Sequence, residues 1–419
     1  MAQSSIWKRL YCLSLLLAAL LAACGGGGSD SPSAPEEETV KLGLLTTLTG
    51  ALSREGPSWR ATAEMALTEI NAAGGVLGRR VELVVGDTGT DPEQAVAAAA
   101  RLRDEGVAAF IGPIISSSTL RVAAEVSVPA GLPLVSPSST APEISGLEDD
   151  GLVWRTAVSD AFKGEIVARY AYRTGSRRAG IIHLDSDFGR GLASRFTAAF
   201  TALGGEVVNT VPFPELSGDE IETFDYRPAI DDVMLGEPDL IYIISFTEDG
   251  VKISIAADGK VSDAYRPRFA SEISPSESLL SVIGIYEGLF GLQQEAPDTP
   301  NNTAFFEAYR ARYDSDPEIF AEAVYDGIYL WALAAQQAGS VAGPQVAAQL
   351  QAVSSGGEKI NVGEFAAGIA ALEQGLDVDY EGATGSIDFD ANGDVSNGTF
   401  NVWQIQDGAF VDVETITFP

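Results

Sequence analysis

Five short stretches carry residue types able to hold a small charged molecule. Gly112-Pro113-Ile114-Ile115-Ser116-Ser117-Ser118-Thr119 puts a run of hydroxyls where an apolar strand ends and a helix begins. Backbone N–H groups at such a junction, together with the helix dipole, favour an anion, and the serine hydroxyls add donors. Ile114 and Ile115 give that grip an apolar wall. Ser136-Pro137-Ser138-Ser139-Thr140-Ala141-Pro142-Glu143 follows another strand with a second hydroxyl-rich turn. Two such loops side by side can converge on one carboxylate. A plain helix cap and a Pro/Ser turn account for the same residues without a ligand.

Three further stretches suit a cation. Asp185-Ser186-Asp187-Phe188-Gly189-Arg190-Gly191 and Ser245-Phe246-Thr247-Glu248 each present a phenylalanine after a strand, and Ser271-Glu272 presents an acid after Phe269. A carboxylate at Glu272 could hold an ammonium group, with Phe188 and Phe246 as cation–π faces. The alternatives are core phenylalanines and a solvated loop acid. Asp388 to Asp394 has some features of a calcium loop, but Thr399 stands where a bidentate Glu is required, so an Asx- and Gly-rich turn explains it better. Enzyme signatures are missing: there is no phosphate-cradling glycine loop with its lysine, no G-x-S-x-G elbow and no His-based metal pair. The single histidine, His183, reads as a packed residue at a strand end. No catalytic residue, metal or cofactor is expected.

The elements that must position these loops alternate along the chain. Val40, Leu42 and Leu44 read as a strand, Trp59 to Ile70 as an amphipathic helix stopped by Gly74-Gly75, and Val81 to Val85 as a strand. A helix over Pro92–Glu105, capped by Asp91, precedes strands at 108–111 and 133–135. The pattern restarts after Trp154, with strands at 179–183, 207–211 and 240–244 between helices. Such βαβα alternation implies parallel sheets covered by helices on both faces, here two doubly wound α/β lobes. Ligands of open α/β sheets bind outside the carboxyl ends of the strands, where the hydroxyl loops fall. Helices are expected at 304–313, 320–338, 346–353 and 365–372, then strands at 385–389 and 399–405 flanking an Asn392-Gly393 hairpin turn.

Composition narrows the partners. The chain has 419 residues, with 26 basic and 59 acidic side chains and a formal charge of −33. So acidic a protein lacks the Lys/Arg footprint that nucleic acid or anionic headgroups require. Cys12 and Cys24, both near the N-terminus, exclude a disulfide framework in the globular part. Lys8 and Arg9 precede an apolar run from Leu10 to Leu21, too short to span a bilayer, that ends in Leu21-Ala22-Ala23-Cys24. This resembles a bacterial lipobox, which implies export, removal of residues 1–23 and lipidation of Cys24. Residues 24–38, Gly/Ser/Pro-rich and then acidic, read as a flexible tether.

The loops together resemble the Leu/Ile/Val-binding family of ABC-importer receptors. The likeness runs through Glu69-Ile70-Asn71-Ala72-Ala73-Gly74-Gly75-Val76-Leu77-Gly78, Asp91-Pro92-Glu93-Gln94-Ala95, Gly112 to Thr119, Ser136 to Glu143, Phe188-Gly189-Arg190-Gly191 and Gly382 to Asp394. The resemblance implies a type I periplasmic binding fold with a three-segment hinge near 158, 290 and 383. The N-terminal lobe would comprise 39–158 and 291–382, and the C-terminal lobe 159–290 and 383–419. Ser116, Ser138, Ser139 and Thr140 would hold a ligand carboxylate, Glu272 the α-ammonium, and Phe188 and Phe246 would cover the ligand. The family's aromatics are often tyrosine, and its tryptophan in the first loop is missing from Ser53-Arg54-Glu55-Gly56, so a different side-chain pocket is expected. The expected ligand is an amino acid or a related compound, with an amide, urea or small carboxylate as the alternative. The expected partner is an ABC permease, with a sensory module for a membrane receptor as the alternative, and the chain is expected to be monomeric.

Overall fold

The computed structural model describes residues 39–216, 219–258, 260–262, 264–273, 280, 287–294 and 299–418. The expected signal segment, Cys24 and the expected tether lie outside the described residues. Two sheets dominate. The first has the order β2-β1-β3-β4-β5, all parallel, from β1 (Val40–Thr46), β2 (Val81–Asp87), β3 (Phe110–Ile111), β4 (Leu134–Ser136) and β5 (Val153–Arg155). The second has the order β15-β14-β10-β9-β8-β6-β7, from β6 (Arg178–Leu184), β7 (Glu206–Phe213), β8 (Leu240–Ile244), β9 (Arg268–Ser271), β10 (Phe290–Gln294), β14 (Gly398–Gln406) and β15 (Ala409–Phe418). Its β6–β10 strands run parallel, while β14 pairs antiparallel with β10 and β15. A small sheet of β11 (Glu358–Ile360), β12 (Val378–Gly382) and β13 (Gly385–Ser386) completes the set.

The strands are buried because helices cover both faces. β8 is apolar and buried at all five positions, as a central parallel strand must be. The helix Ala321–Ala338 is buried from Ala323 to Ala335 and shares a core with Trp59, Ile70 and Val135. Helix starts follow their capping residues. The side chains of Asp91, Ser159, Ser186 and Thr299 each accept a hydrogen bond from a backbone N–H of the first turn.

The structure departs from three expectations. Residues 291–294 belong to the second sheet, because Phe290 and Leu292 pack with Tyr170, Phe400 and Val402 in its core. The second crossing therefore follows Gln294. The third crossing also lies later than 383. β13 pairs back on β12, and Ile387, Phe389 and Val395 pack into the first core, Phe389 against Trp154. The expected hairpin around Asn392-Gly393 is reduced to a single bridge, Phe389 to Val395. The 399–405 strand pairs with β10 and β15 instead, and the Asp390 carboxylate folds the turn on itself by accepting from the Asn392 and Asp394 N–H groups.

Candidate ligand-binding cleft

The tips of β3 and β4 meet those of β6, β8 and β9 across a cleft of about 1120 Å³, counting its open mouth. Ile114, Ile115, Ser116, Ser138, Thr140, Phe188, Phe246 and Glu272 all line it. Local geometry fixes the approach. Gly112 has φ +92°, and a Cβ there would lie 2.1 Å from the Leu45 carbonyl oxygen, so only glycine lets the chain turn out of β3 this tightly. Gly189 is equally confined, its missing Cβ falling 1.9 Å from Leu184 O.

The hydroxyls of the first lobe are largely engaged within the protein. Ser138 Oγ donates to Ile114 O at 2.7 Å, and Thr140 Oγ1 donates to Asp160 Oδ2 at 2.6 Å. Ser139 does not line the cleft. Its side chain is buried between Ile114 O (3.2 Å) and Thr119 Oγ1 (2.8 Å), where it ties the two loops together, which corrects its expected ligand role. Ser116 differs: its Oγ accepts from the Ala141 N–H at 3.1 Å, and its own proton has no acceptor among the described residues. Ser245, 3% exposed and also in the cleft wall, has a hydroxyl with no hydrogen-bond partner among the described residues.

The acid expected to await a ligand ammonium is already occupied. Glu272 Oε1 accepts from the Tyr242 hydroxyl, and Oε2 forms an ion pair with Lys163 Nζ. The two side chains are 2% and 16% exposed. Burial alone would lower the Lys163 ammonium, but Glu272 and Asp160 hold it above the ordinary lysine value. Burial pushes the Asp160 carboxyl up to about 6, with Lys163 and the Thr140 hydroxyl opposing. Lys163 escaped sequence reasoning because its partner is remote in the chain. One local signal was present: a lysine in the first turn of the helix Asp160–Arg173 sits at the positive end of the dipole, where a cation is unfavourable unless something else holds it.

The remaining walls are mostly apolar. Phe188 and Phe246 lie parallel with ring centroids 6.2 Å apart. Leu52, Trp59, Val158, Ile273, Leu292, Ile319, Phe320 and Phe400 add to them. Glu55 and Glu215 also reach the cleft. Glu55 Oε1 is paired with Arg54 at 2.8 Å. Burial, reinforced by Asp91, Asp187 and Asp249, raises the Glu215 carboxyl to about 7. Other candidates prove structural. His183 is 6% exposed, bonded through Nδ1 to Leu184 O, and away from the cleft. Asp394 of the acidic turn pairs with Arg155 and accepts from Ser145, so its carboxylate is taken by protein groups.

Two α/β lobes with a mostly apolar cleft at their strand tips define a two-lobed receptor for a small molecule. The model of the periplasmic binding protein family matches residues 39–409, and the chain belongs to that family. Its fold is that of the type I periplasmic binding proteins. It is 28% identical over 373 residues to the leucine-, isoleucine-, valine-, threonine-, and alanine-binding protein of Pseudomonas aeruginosa, covering 88% of this chain and 90% of that one. It is 29% identical over 367 residues, 84% of each chain, to the chemotactic signal transduction system substrate-binding protein BasB of Halobacterium salinarum. The solved leucine-binding protein LivK of Thermotoga maritima matches with a TM-score of 0.74 at 26% identity, covering 90% of this chain and 98% of that one.

Proposed function

We propose that this protein is the extracytoplasmic receptor of an ABC importer for a small, largely apolar carboxylic acid, a class that includes the amino acids named for its relatives. The observation that carries this reading is the cleft itself. An unengaged Ser116 proton and the Ser245 hydroxyl stand among apolar and aromatic walls contributed by both lobes. The ligand docks on the Ser116 loop, and the second lobe closes over it through the three crossings. Closure is stabilised only by the ligand's greater affinity for the closed state. Lipidation at Cys24 would hold the receptor at the membrane, which mass spectrometry of the exported protein checks. A monomeric receptor is part of the same reading.

Calorimetry with leucine, benzoate and 4-methyl-2-oxopentanoate tests the site. A hydrogen bond to a charged group contributes about 1.5–3 kcal/mol. Ser116→Ala is therefore expected to weaken whichever acid binds by roughly tenfold or more. Unchanged affinity in a folded Ser116→Ala protein overturns the site. The similarity to BasB favours a second reading, in which the liganded receptor reports to a membrane sensor. Transport assays in a strain lacking the receptor separate the two, because loss of uptake supports import and loss of taxis with normal uptake supports sensing.

A further inference from the structure

We propose that Lys163 is a built-in substitute for a ligand ammonium, so that the acid this cleft selects carries no amino group on its α-carbon. This rests on the carboxylic-acid reading above and narrows it. Among the acids lining the cleft, Glu272 is the one coupled to the hydroxyl loop: Thr140 donates to Asp160, Asp160 and Lys163 face each other in charge, and Lys163 pairs with Glu272. An α-amino acid whose carboxylate sits on that loop would bring its ammonium to the same neighbourhood. There both Glu272 oxygens are engaged, one by Tyr242 and one by Lys163. The incoming ammonium would have to displace a buried lysine or share one carboxylate with it, two like charges at close quarters in a mostly apolar cleft.

The placement of Lys163 supports a selective role. It lies in the first turn of its helix, against the dipole, and is held there by Glu272 and Asp160. Its two remaining N–H donors have no acceptor among the described residues, and it lines the cleft. A carboxylate gains from that charge, whereas an ammonium is repelled by it. The other two acids of the wall are differently set. Glu55 is bonded to Arg54, and Glu215 sits among Asp91, Asp187 and Asp249 with its carboxyl raised.

Leucine and 4-methyl-2-oxopentanoate share a carbon skeleton and differ in the ammonium, so their affinities for the full chain read the proposal directly, with benzoate as a third, aromatic acid. The oxo acid or benzoate is expected to bind the native protein at least tenfold tighter than leucine. Lys163→Met frees Glu272 and is expected to improve leucine binding by tenfold or more while weakening the oxo acid. If that variant folds poorly, Lys163→Met combined with Glu272→Gln removes both charges, and it should lose the native preference against leucine. A native protein that prefers leucine, or a folded charge-free variant with an unaltered preference, overturns the proposal while leaving the carboxylic-acid reading intact. Failure of all three acids to bind the native protein removes that reading and this inference with it.

Discussion

Two buried ion pairs whose cations lie close together in the chain are built to opposite ends. Arg155, fully buried at the end of β5, donates from Nε to Asp394 Oδ1 at 2.6 Å, from Nη1 to the carbonyls of Ser139 and Ala141, and from Nη2 to Ser145 Oγ. Every nitrogen is matched, so the guanidinium joins β5, the hydroxyl loop and the acidic turn into one unit. Lys163, eight positions along, has one ion-pair partner and an open side toward the cleft. A fully matched buried charge is architecture, and a partly matched one facing a cavity is recognition. The planar guanidinium suits the first task because it fixes several acceptors at once, and the compact ammonium suits the second.

The largest expected effect breaks the first pair. Arg155→Met leaves Asp394 and two carbonyls without their donor in a buried setting. The cost is about 3–5 kcal/mol, the usual penalty for stranding one partner of a buried pair. Urea unfolding should show the loss, and the molecules that remain folded should keep the native ligand preference. A loss below about 1 kcal/mol would mean that water replaces the guanidinium and that the pair does not hold the three segments together.

A smaller effect comes from pH. The carboxyls of Asp160 and Asp249 are pushed to about 6, and those of Glu215 and Glu322 to about 7, burial being the first cause in each. An acid with a raised folded pKa contributes stability that is complete below its unfolded value near 4 and is lost as pH rises through its folded value. The protein should therefore melt several degrees higher at pH 5 than at pH 8. Surface repulsion in so acidic a chain acts in the same direction, but salt screens it. The difference should persist at high salt, because two of these groups, Asp160 and Glu215, lie beside or within the cleft rather than on the open surface. A pH dependence abolished by salt would assign it to the surface alone.

Much of the site was legible because topology dictates it. Parallel strands put their carboxyl-end loops on one edge, so Ser116, Thr140, Phe188, Phe246 and Glu272 could be placed in one cleft from strand pattern and loop composition. What sequence does not carry is which hydrogens are still free. Ser138, Ser139 and Thr140 read as donors to a ligand, yet their protons are engaged with Ile114 O, with Thr119 and Ile114 O, and with Asp160. The partner of Lys163 was not legible because an ion pair between a helix start and a distant strand end leaves no local spacing; its unfavourable place in the first helical turn was the one local sign. The lobe boundary slipped at 291–294 because β10 carries no feature telling which sheet it joins until Phe400 and Val402 are seen packed beside it. Asn392-Gly393 misled for a related reason: the turn signal is genuine, but the strand after it finds better partners in β10 and β15.

The smallest effect falls on the acid that pairs with Lys163. Glu272→Gln keeps an oxygen to accept from the Tyr242 hydroxyl but removes the charge that neutralises Lys163. The ammonium is then directed at the cleft. A ligand carboxylate should bind roughly three- to tenfold tighter, equivalent to about 0.7–1.4 kcal/mol. The gain should shrink as salt is added, since part of it is attraction through the open mouth of the cleft. If Glu272 instead touched a ligand ammonium directly, the same substitution would weaken binding sharply. The sign of one calorimetric difference thus decides whether the cation at this acid belongs to the protein or to the molecule it carries.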